Sequence, residues 1–184
     1  EEGSDILKMM VERIRRMVSD ILFYAKERNL RCEKIDILTF ANDVIRVVEP
    51  KSKTRNIALV KDFDFSAEKI HIDAGFVHSA LINILENAID ACIRDDQNQQ
   101  HKVVFTVKND ETHLFFIISD NGIGMNAETR DKLFSLFYSS KGREGTGLGL
   151  FLSNKIIAQH GGSIHVDSVE KQGSQFTIKI PFQQ

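Results

Sequence analysis

The chain has 184 residues, of which 42% are hydrophobic and thirteen are phenylalanine, enough for one domain with a sizeable core plus an appendage. Its formal net charge of −2 gives no electrostatic argument for binding nucleic acid or an anionic membrane, and its two cysteines lack the spacing of a disulfide framework or zinc site. No apolar run approaches the ~20 residues that span a bilayer and no signal-peptide pattern begins the chain, so we expect a cytoplasmic setting for this portion.

Residues 5–28 have the pattern of one amphipathic helix. Apolar residues recur at spacings that alternate between four and three, which is a heptad pattern: Leu7, Val11, Ile14, Val18, Ile21 and Ala25. Further apolar positions widen this stripe, as a four-helix bundle requires. We expect the helix to form a homodimer by pairing with a second chain, with docking on its own domain as the alternative. Residues 1–30 are therefore predicted to form a separate bundle segment, and residues 31–184 a domain.

Hydrophobic periodicity predicts alternating strands and helices after this junction. Helices are predicted over residues 37–48, ended by Pro50 and a basic run, over residues 74–94 with Asp73 as N-cap, and from the GTGLGL run to Gly161. Strands are predicted over residues 57–63, 69–72, 103–108, 113–119, 163–169 and 175–181, the last four as two hairpins. The pattern indicates an α+β fold, a two-layer α/β sandwich with helices on one face of the sheet.

Residues 120–150 are not explained by packing. They begin with DNGIGM and end with GTGLGL, two glycine clusters that enclose a polar and aromatic interval. Glycine is the usual residue where the backbone takes positive φ or approaches a ligand closely. The second cluster opens a predicted helix, whose free N–H groups and positive dipole end attract an anion. We interpret the stretch as a phosphate-covering lid, although neither GxxxxGK[ST] nor GxGxxG is present; two flexible surface loops are the alternative.

The predicted helix over residues 74–94 carries short amides where helical surfaces favour Lys, Glu or Gln. At ~100° per residue, Asn83, Asn87 and Asp90 lie in one band, with Glu86 at its edge. The opposite band is apolar: Val77, Leu81, Ile84, Leu85, Ala88 and Cys92. An asparagine carbonyl oxygen is a hard, neutral ligand suited to Mg²⁺. The polar band is therefore a candidate magnesium site, with an ordinary solvated face as the alternative.

Four motifs occur here in the order of one known family. LINILENAIDA, DNGIGM, LFSLFYSSK and GTGLGL resemble the N, G1, F and G2 boxes of the ATP-binding catalytic domain of sensor histidine kinases, within the superfamily that includes gyrase B, Hsp90 and MutL. The resemblance covers residues 35–181 and implies the Bergerat-type ATP-binding fold. The heptad helix resembles the second helix of the family's dimerisation and phosphotransfer domain.

The resemblance implies a site for Mg-ATP. Asn87 would coordinate Mg²⁺ with support from Asn83, and Lys141 would meet the β- and γ-phosphates. Asp120 would accept a hydrogen bond from the adenine amino group, which selects against guanine because guanine presents an acceptor there. The backbone of seven other residues would approach the base or the phosphates: Gly122, Gly124, Gly145, Thr146, Gly147, Leu148 and Gly149. Phe134 and Phe137 would anchor a lid over residues 121–145, which would order when nucleotide binds.

The residue at position 83 separates a kinase from a hydrolase. In the superfamily's ATPases a glutamate four residues before the metal-binding asparagine activates water, and Asn83 cannot act as a general base at neutral pH. Phosphoryl transfer needs positioning and charge neutralisation instead. The resemblance therefore implies catalytic roles for Asn83, Asn87 and Lys141, with Glu86 as a further candidate.

The six histidines lack the sequence context of the family's acceptor histidine, and we interpret them as surface or packing residues: His71, His78, His101, His113, His160 and His165. The resemblance thus implies a fragment that begins at or near the second bundle helix. It would transfer the γ-phosphoryl group of Mg-ATP to a histidine on a dimerisation domain largely outside this chain, for relay to a receiver-domain aspartate of a response regulator.

Two other functions stay open: a related serine kinase, such as an anti-sigma factor kinase, and a scaffold that binds ATP without transferring phosphate. A membrane anchor elsewhere in the full-length protein also stays open.

Overall fold

The structure is a computed structural model that describes residues 10, 11, 14, 30–96, 100–139 and 146–182. Met10, Val11 and Ile14 are helical, and each is at least half exposed. The rest of the predicted heptad helix, and its pairing with a second chain, lie outside the described residues. The division of the chain near residue 30 stays a prediction.

The described chain alternates strands and helices. Their order is β1 (Glu33–Asp36), α1 (Ile37–Thr54), β2 (Ala58–Asp64), β3 (Lys69–Ile72), α2 (Ala74–Ile93), β4 (Lys102–Asn109), β5 (His113–Asp120), α3 (Ala127–Lys132), α4 (Gly149–Gln159), β6 (Ser163–Val169) and β7 (Gly173–Pro181). One sheet has the strand order β2-β4-β5-β7-β6, with β2 parallel to β4 and the other neighbours antiparallel. Strands β1 and β3 form a separate antiparallel ribbon.

Helices α1, α2 and α4 pack on one face of the five-stranded sheet. Buried and half-exposed residues alternate along β4 and β5, as expected for strands covered on one face only. Phenylalanine rings fill much of the interface: Phe105 and Phe116 stack with centroids 6.1 Å apart, and Phe40 meets Phe116 edge-on at the same distance. This arrangement confirms the predicted α+β, two-layer fold.

Helix α2 is the central element of the helical layer, since it contacts both α1 and α4. It is long and apolar enough to match a membrane span, with a mean hydropathy of 1.2, but it buries its apolar band in the core as helices of folded domains do. Its predicted N-cap is confirmed, because Asp73 Oδ1 accepts the backbone N–H of Phe76 at 3.2 Å. The second carboxylate oxygen accepts the backbone N–H of Arg31 at 2.9 Å.

Pro50 does not end α1, contrary to the prediction. The helix continues to Thr54, so the basic run forms its last turn. Proline removes one backbone donor, but tertiary packing outweighs that loss here because Ser52 is buried. The hydroxyls of Ser52 and Thr54 also donate to the carbonyls of Glu49 and Pro50, at 2.9 Å each.

Two short elements were not predicted. Strand β1 directly follows the predicted junction near residue 30, and most of its residues are exposed. Helix α3 buries none of its six residues, so it shows no apolar periodicity. The available signal for α3 was its N-cap, Asn126, which accepts the backbone N–H of Thr129 at 2.9 Å.

His160 joins the end of α4 to the beginning of α2. Its Nε2 accepts the backbone N–H of Asp73 at 3.0 Å, and its Nδ1 donates to the carbonyl of Ile156 at 2.7 Å. A backbone N–H can only donate and a carbonyl can only accept, so these two partners define one neutral tautomer. The ring is 2% exposed, which makes His160 a packing histidine rather than a phosphoacceptor.

Replacing His160 by alanine removes both hydrogen bonds and leaves a cavity. We expect His160→Ala to lower the free energy of unfolding by about 2–4 kcal/mol in urea titrations. His165→Ala is the matched control, because the His165 side chain is 74% exposed, and it should change stability by less than about 0.5 kcal/mol. Equal losses in the two variants would contradict the role of His160 as a link between helices.

Candidate functional site

The polar band of α2 is shared between its two helical neighbours. Asn83 Nδ2 donates to Ser153 Oγ on α4 at 3.0 Å, whereas Asp90 Oδ1 pairs with Lys51 Nζ on α1 at 2.6 Å. Asn87 follows Asn83 by one turn and is half-buried. The predicted apolar band of α2 is buried throughout. The periodicity of the sequence therefore predicted the two faces of α2 correctly. It could not predict the partners of the polar residues, because these lie on other helices.

Glu86 is exposed on α2, in contrast to half-buried Asn83 and Asn87. Nothing in the described structure orients its carboxylate. The structure therefore gives no support for Glu86 as a catalytic group.

The first glycine cluster is pressed against protein backbone. A Cβ at Gly122 would overlap the backbone of Ala91 on α2, and Ile123 N donates to the Ala91 carbonyl at 3.3 Å. Gly124 has a φ of +60°, and a Cβ there would overlap the carbonyl of Val169 on β6. Both glycines therefore allow close approach to α2 and to the β6–β7 hairpin, and their approach to a ligand stays a prediction.

Asp120 is a buried carboxylate at the end of β5. Its side chain is 9% exposed, and its Oδ1 accepts the backbone N–H of Gly122 at 2.9 Å. Burial raises the pKa of Asp120 to about 6, while the backbone N–H groups of Gly122 and Ser174 and the charge of His101 act in the opposite direction. Within the described ranges Asp120 forms no ion pair. A desolvated acid that forms no ion pair destabilises the fold, and such groups are typical of functional sites.

Cys92 lies close to this carboxylate on the buried face of α2. Burial raises the pKa of the Cys92 thiol to about 12, and the charge of Asp120 adds to the shift. The thiol therefore stays protonated at neutral pH, which fits its interpretation as a small core residue.

The β6–β7 hairpin contacts the first glycine cluster from the other side, a contact that the sequence did not predict. Ser168 Oγ accepts the backbone N–H of Met125 at 2.9 Å and donates to the Gly173 carbonyl at 3.0 Å. Lys171 N donates to the carbonyl of Ile123 at 2.7 Å. Gly173, with a φ of +103°, lies against the Asp120 backbone where a Cβ would overlap. The only available signal was a glycine in the predicted turn.

The second glycine cluster packs against the F-box segment. Gly147 has a φ of +70°, and its carbonyl accepts the backbone N–H of Phe137 at 3.0 Å. A Cβ at Gly147 would overlap the Phe137 backbone. Phe134 packs against the core, whereas Phe137 is 59% exposed and contacts Gly147 through its backbone. That these two residues anchor the lid stays a prediction, because part of the lid lies outside the described residues.

Helix α4 begins without a side-chain cap. Leu148 at its N-cap position makes no capping hydrogen bond, whereas α1, α2 and α3 are capped by Asp36, Asp73 and Asn126. A helix N-terminus without a side-chain cap is the kind of place where an anion can bind. Gly149 opens the helix next to Asn83, whose carboxamide oxygen would overlap a Cβ there. Thr146 and Leu148 lie in the described loop before α4; Lys141 and Gly145 lie outside the described residues.

Residues 72–184 match the sequence family described as histidine kinase-, DNA gyrase B- and HSP90-like ATPases. The match contains α2, both glycine clusters and the closing hairpin. The chain belongs to this family.

Curated relatives in the family include sensor kinases. The chain is 30% identical over 179 residues to the sensor histidine kinase ZraS of Escherichia coli K12, an alignment that covers 97% of this chain and 37% of ZraS. It is also 30% identical over 181 residues to sporulation kinase E of Bacillus subtilis, covering 98% of this chain and 24% of that kinase. The chain therefore spans less than two-fifths of the length of these relatives.

Solved structures in the family have the same fold. The catalytic domain of histidine kinase ThkA, in a nucleotide-free form, matches with a TM-score of 0.71 and 27% identity over 84% of this chain and 99% of that domain. ThkA in complex with the response regulator TrrA matches with a TM-score of 0.81 and 26% identity, over 100% of this chain and 51% of ThkA. These similarities confirm the predicted fold and the predicted relationship to sensor histidine kinases.

The pKa of Asp120 predicts how stability depends on pH. The pKa rises from 3.8 to about 6 on folding, so between these values the unfolded state releases a proton that the folded state keeps. Protonation of Asp120 therefore contributes about 3 kcal/mol to the free energy of unfolding. This contribution is fully present below pH 3.8 and is lost as pH rises through 6.

Asp120→Asn keeps an acceptor for Gly122 N–H and removes the buried charge. We expect the variant to be more stable than the wild type by about 1–3 kcal/mol at pH 8, and this advantage should shrink towards zero by pH 4. Urea titrations at several pH values measure the difference. A difference that does not depend on pH would contradict the raised pKa.

Proposed function

We propose that this chain is the ATP-binding catalytic portion of a sensor histidine kinase, which transfers the γ-phosphoryl group of Mg-ATP to a histidine on a dimerisation domain. The observation that carries the proposal is the buried carboxylate of Asp120 in a domain of this ATPase family. The fold maintains this group at a cost in stability, and adenine offers a further hydrogen-bond donor to its carboxylate.

Asp120 is proposed to recognise the base. Its carboxylate accepts a backbone N–H from Gly122 and retains further acceptor capacity, which suits the exocyclic amino group of adenine. Guanine would present an acceptor to the same carboxylate and leave both groups unsatisfied. Gly122 and Gly124 are proposed to shape this end of the site, because larger residues would displace α2 or the hairpin that position Asp120.

The amides of α2 and the beginning of α4 are proposed to hold the phosphates. Asn87 is the proposed Mg²⁺ ligand, with Asn83 in support. Within the described residues no three His, Cys, Asp or Glu side chains form a metal cluster, and carboxamides suit an ion that shares phosphate oxygens. The N-terminus of α4 near Gly149, with the backbone of Gly145, Thr146, Gly147 and Leu148, would contact the phosphates and favour their negative charge. Lys141 is proposed to add a positive charge.

The arrangement favours transfer over hydrolysis. Asn83 occupies the place where a hydrolase needs a base, and the neighbouring Glu86 is exposed and unoriented. When bound, Mg-ATP supplies the transferable phosphoryl group, and the chain's own residues supply positioning and charge neutralisation. A neutral histidine on the partner domain is already nucleophilic, so no deprotonating residue is required in this chain.

The partners follow from the same proposal. The phosphoacceptor helix of a dimerisation domain receives the phosphoryl group, and a receiver-domain aspartate of a response regulator takes it next. Two copies of the chain would associate through the N-terminal helix. Support comes from the similarity to ThkA, which was crystallised with a response regulator. Because ATP is the substrate, we place this portion on the cytoplasmic side.

Asp120→Asn should weaken ATP binding while it stabilises the fold. We expect on the order of tenfold or greater loss of affinity for ATP, and little change for the already weak binding of GTP. Competition against a fluorescent nucleotide measures both affinities. A loss of the same size for GTP would argue against adenine recognition by Asp120, and the opposite sign of the stability change excludes misfolding as the cause.

The transfer reaction is tested by adding a separate bundle domain that contains the acceptor histidine. With labelled Mg-ATP, we expect label on that domain that is labile in acid and stable in alkali. The Asn87→Ala variant should bind Mg-ATP weakly and transfer little label. Acid-stable label would favour a serine kinase, and ATP binding without any label would favour a scaffold; either result contradicts the proposal.

A further inference from the structure

Ser153 on α4 lies directly behind Asn83 and is almost fully enclosed. Its side chain is 1% exposed, and its hydroxyl contacts three groups. It donates to the Gly149 carbonyl at 3.0 Å, lies 3.5 Å from the Ala80 carbonyl, and accepts Asn83 Nδ2 at 3.0 Å. One buried hydroxyl therefore connects α4 with α2 at the level of the N-box amide.

The hydrogen-bond donors and acceptors around Ser153 determine the orientation of the Asn83 amide. A serine hydroxyl has one proton, and carbonyls such as those of Gly149 and Ala80 can only accept. The hydroxyl proton is thus used on a carbonyl, and Ser153 Oγ must accept from Asn83. The amide nitrogen consequently faces Ser153, and the amide oxygen faces the first residue of α4.

The amide oxygen of Asn83 lies on the opposite side of the amide from Ser153. No described donor forms a hydrogen bond to it, and it lies against Gly149, where a Cβ would overlap it. A flipped amide would turn its N–H₂ group towards this position and repel a cation. One orientation of the Asn83 amide therefore presents an oxygen that can bind a cation, whereas the flipped orientation presents an N–H₂ group that repels it.

We propose that Ser153 is a positioning residue that holds the Asn83 carboxamide with its oxygen towards the Mg²⁺–phosphate end of the site. This inference rests on the proposed function, because it assigns the support that Asn83 gives to the metal. Residues behind a metal ligand fix its orientation, and their loss weakens metal binding about 10- to 100-fold in general. Since Ser153 is 1% exposed, it would act through the groups that it contacts, among them Asn83, and not on the ligand directly.

Ser153→Ala should weaken the magnesium-dependent part of nucleotide binding. The measurement is the affinity for a fluorescent ADP analogue in Mg²⁺ and in EDTA. We expect the gain in affinity from Mg²⁺ to fall on the order of tenfold, with the affinity in EDTA unchanged. Ser153→Thr keeps the hydroxyl and should retain the gain.

A second pair of variants tests whether Ser153 orients the Asn83 amide or only packs between α2 and α4. An aspartate at position 83 presents oxygen whichever way it turns, so Asn83→Asp and Asn83→Asp/Ser153→Ala should respond equally to Mg²⁺. Equal losses in Mg²⁺ and EDTA for Ser153→Ala, or a further loss in the Asn83→Asp background, would overturn the inference and indicate a packing role. If the wild type binds no nucleotide, the proposed function itself fails; if it binds and Ser153→Ala keeps the full gain from Mg²⁺, only the role of Ser153 fails.

Discussion

The desolvated carboxylate of Asp120 is the constraint on which this site depends. Burial raises its pKa to about 6, so at neutral pH the fold keeps a charge in surroundings that disfavour it. The backbone N–H groups of Gly122 and Ser174 partly compensate, and both come from segments that pack tightly around β5. The backbone contacts of Gly122 with α2, and of Gly173 with the Asp120 backbone, explain why neither position tolerates a side chain. The backbone contacts that hold the Asp120 carboxylate in its buried position also leave it able to accept a hydrogen bond from a ligand.

Helix α2 connects this carboxylate to the rest of the domain. Its apolar face forms the core, and its polar face is tied to both neighbouring helices, through Asn83 to Ser153 and through Asp90 to Lys51. A third tie, from His160 to the backbone of Asp73, fixes its beginning. Because α4 is held at two points along α2, its uncapped first turn has a defined place relative to the Asn83 and Asn87 amides. A rigid helix pair therefore positions the anion-binding and amide groups together.

The sequence correctly predicted those features of the fold that depend on residues close together in the chain. The alternation in β5 and the N-cap at Asp73 each depend on neighbours in sequence, and the structure confirms both. Pro50 misled the prediction because burial of Ser52 outweighs a lost backbone donor, and α3 was missed because it buries no residue. The order of the four motifs identified the family, yet no periodicity revealed Ser153 or Ser168. Their contacts join residues that are 70 and 43 positions apart, which only the tertiary structure brings together.

The proton balance of nucleotide binding tests whether the Asp120 carboxylate accepts a hydrogen bond from adenine. An adenine amino donor favours the ionised carboxylate, so ATP should displace the proton that Asp120 carries near its pKa. Calorimetric titration with Mg-ATP at pH 6, in two buffers of different ionisation enthalpy, measures this release, and Asp120→Asn corrects for the protons of the phosphates. We expect the wild type to release roughly half a proton more than the variant at pH 6, and this excess to disappear at pH 8. Equal proton release by the two proteins at pH 6, or net proton uptake by the wild type, would contradict it.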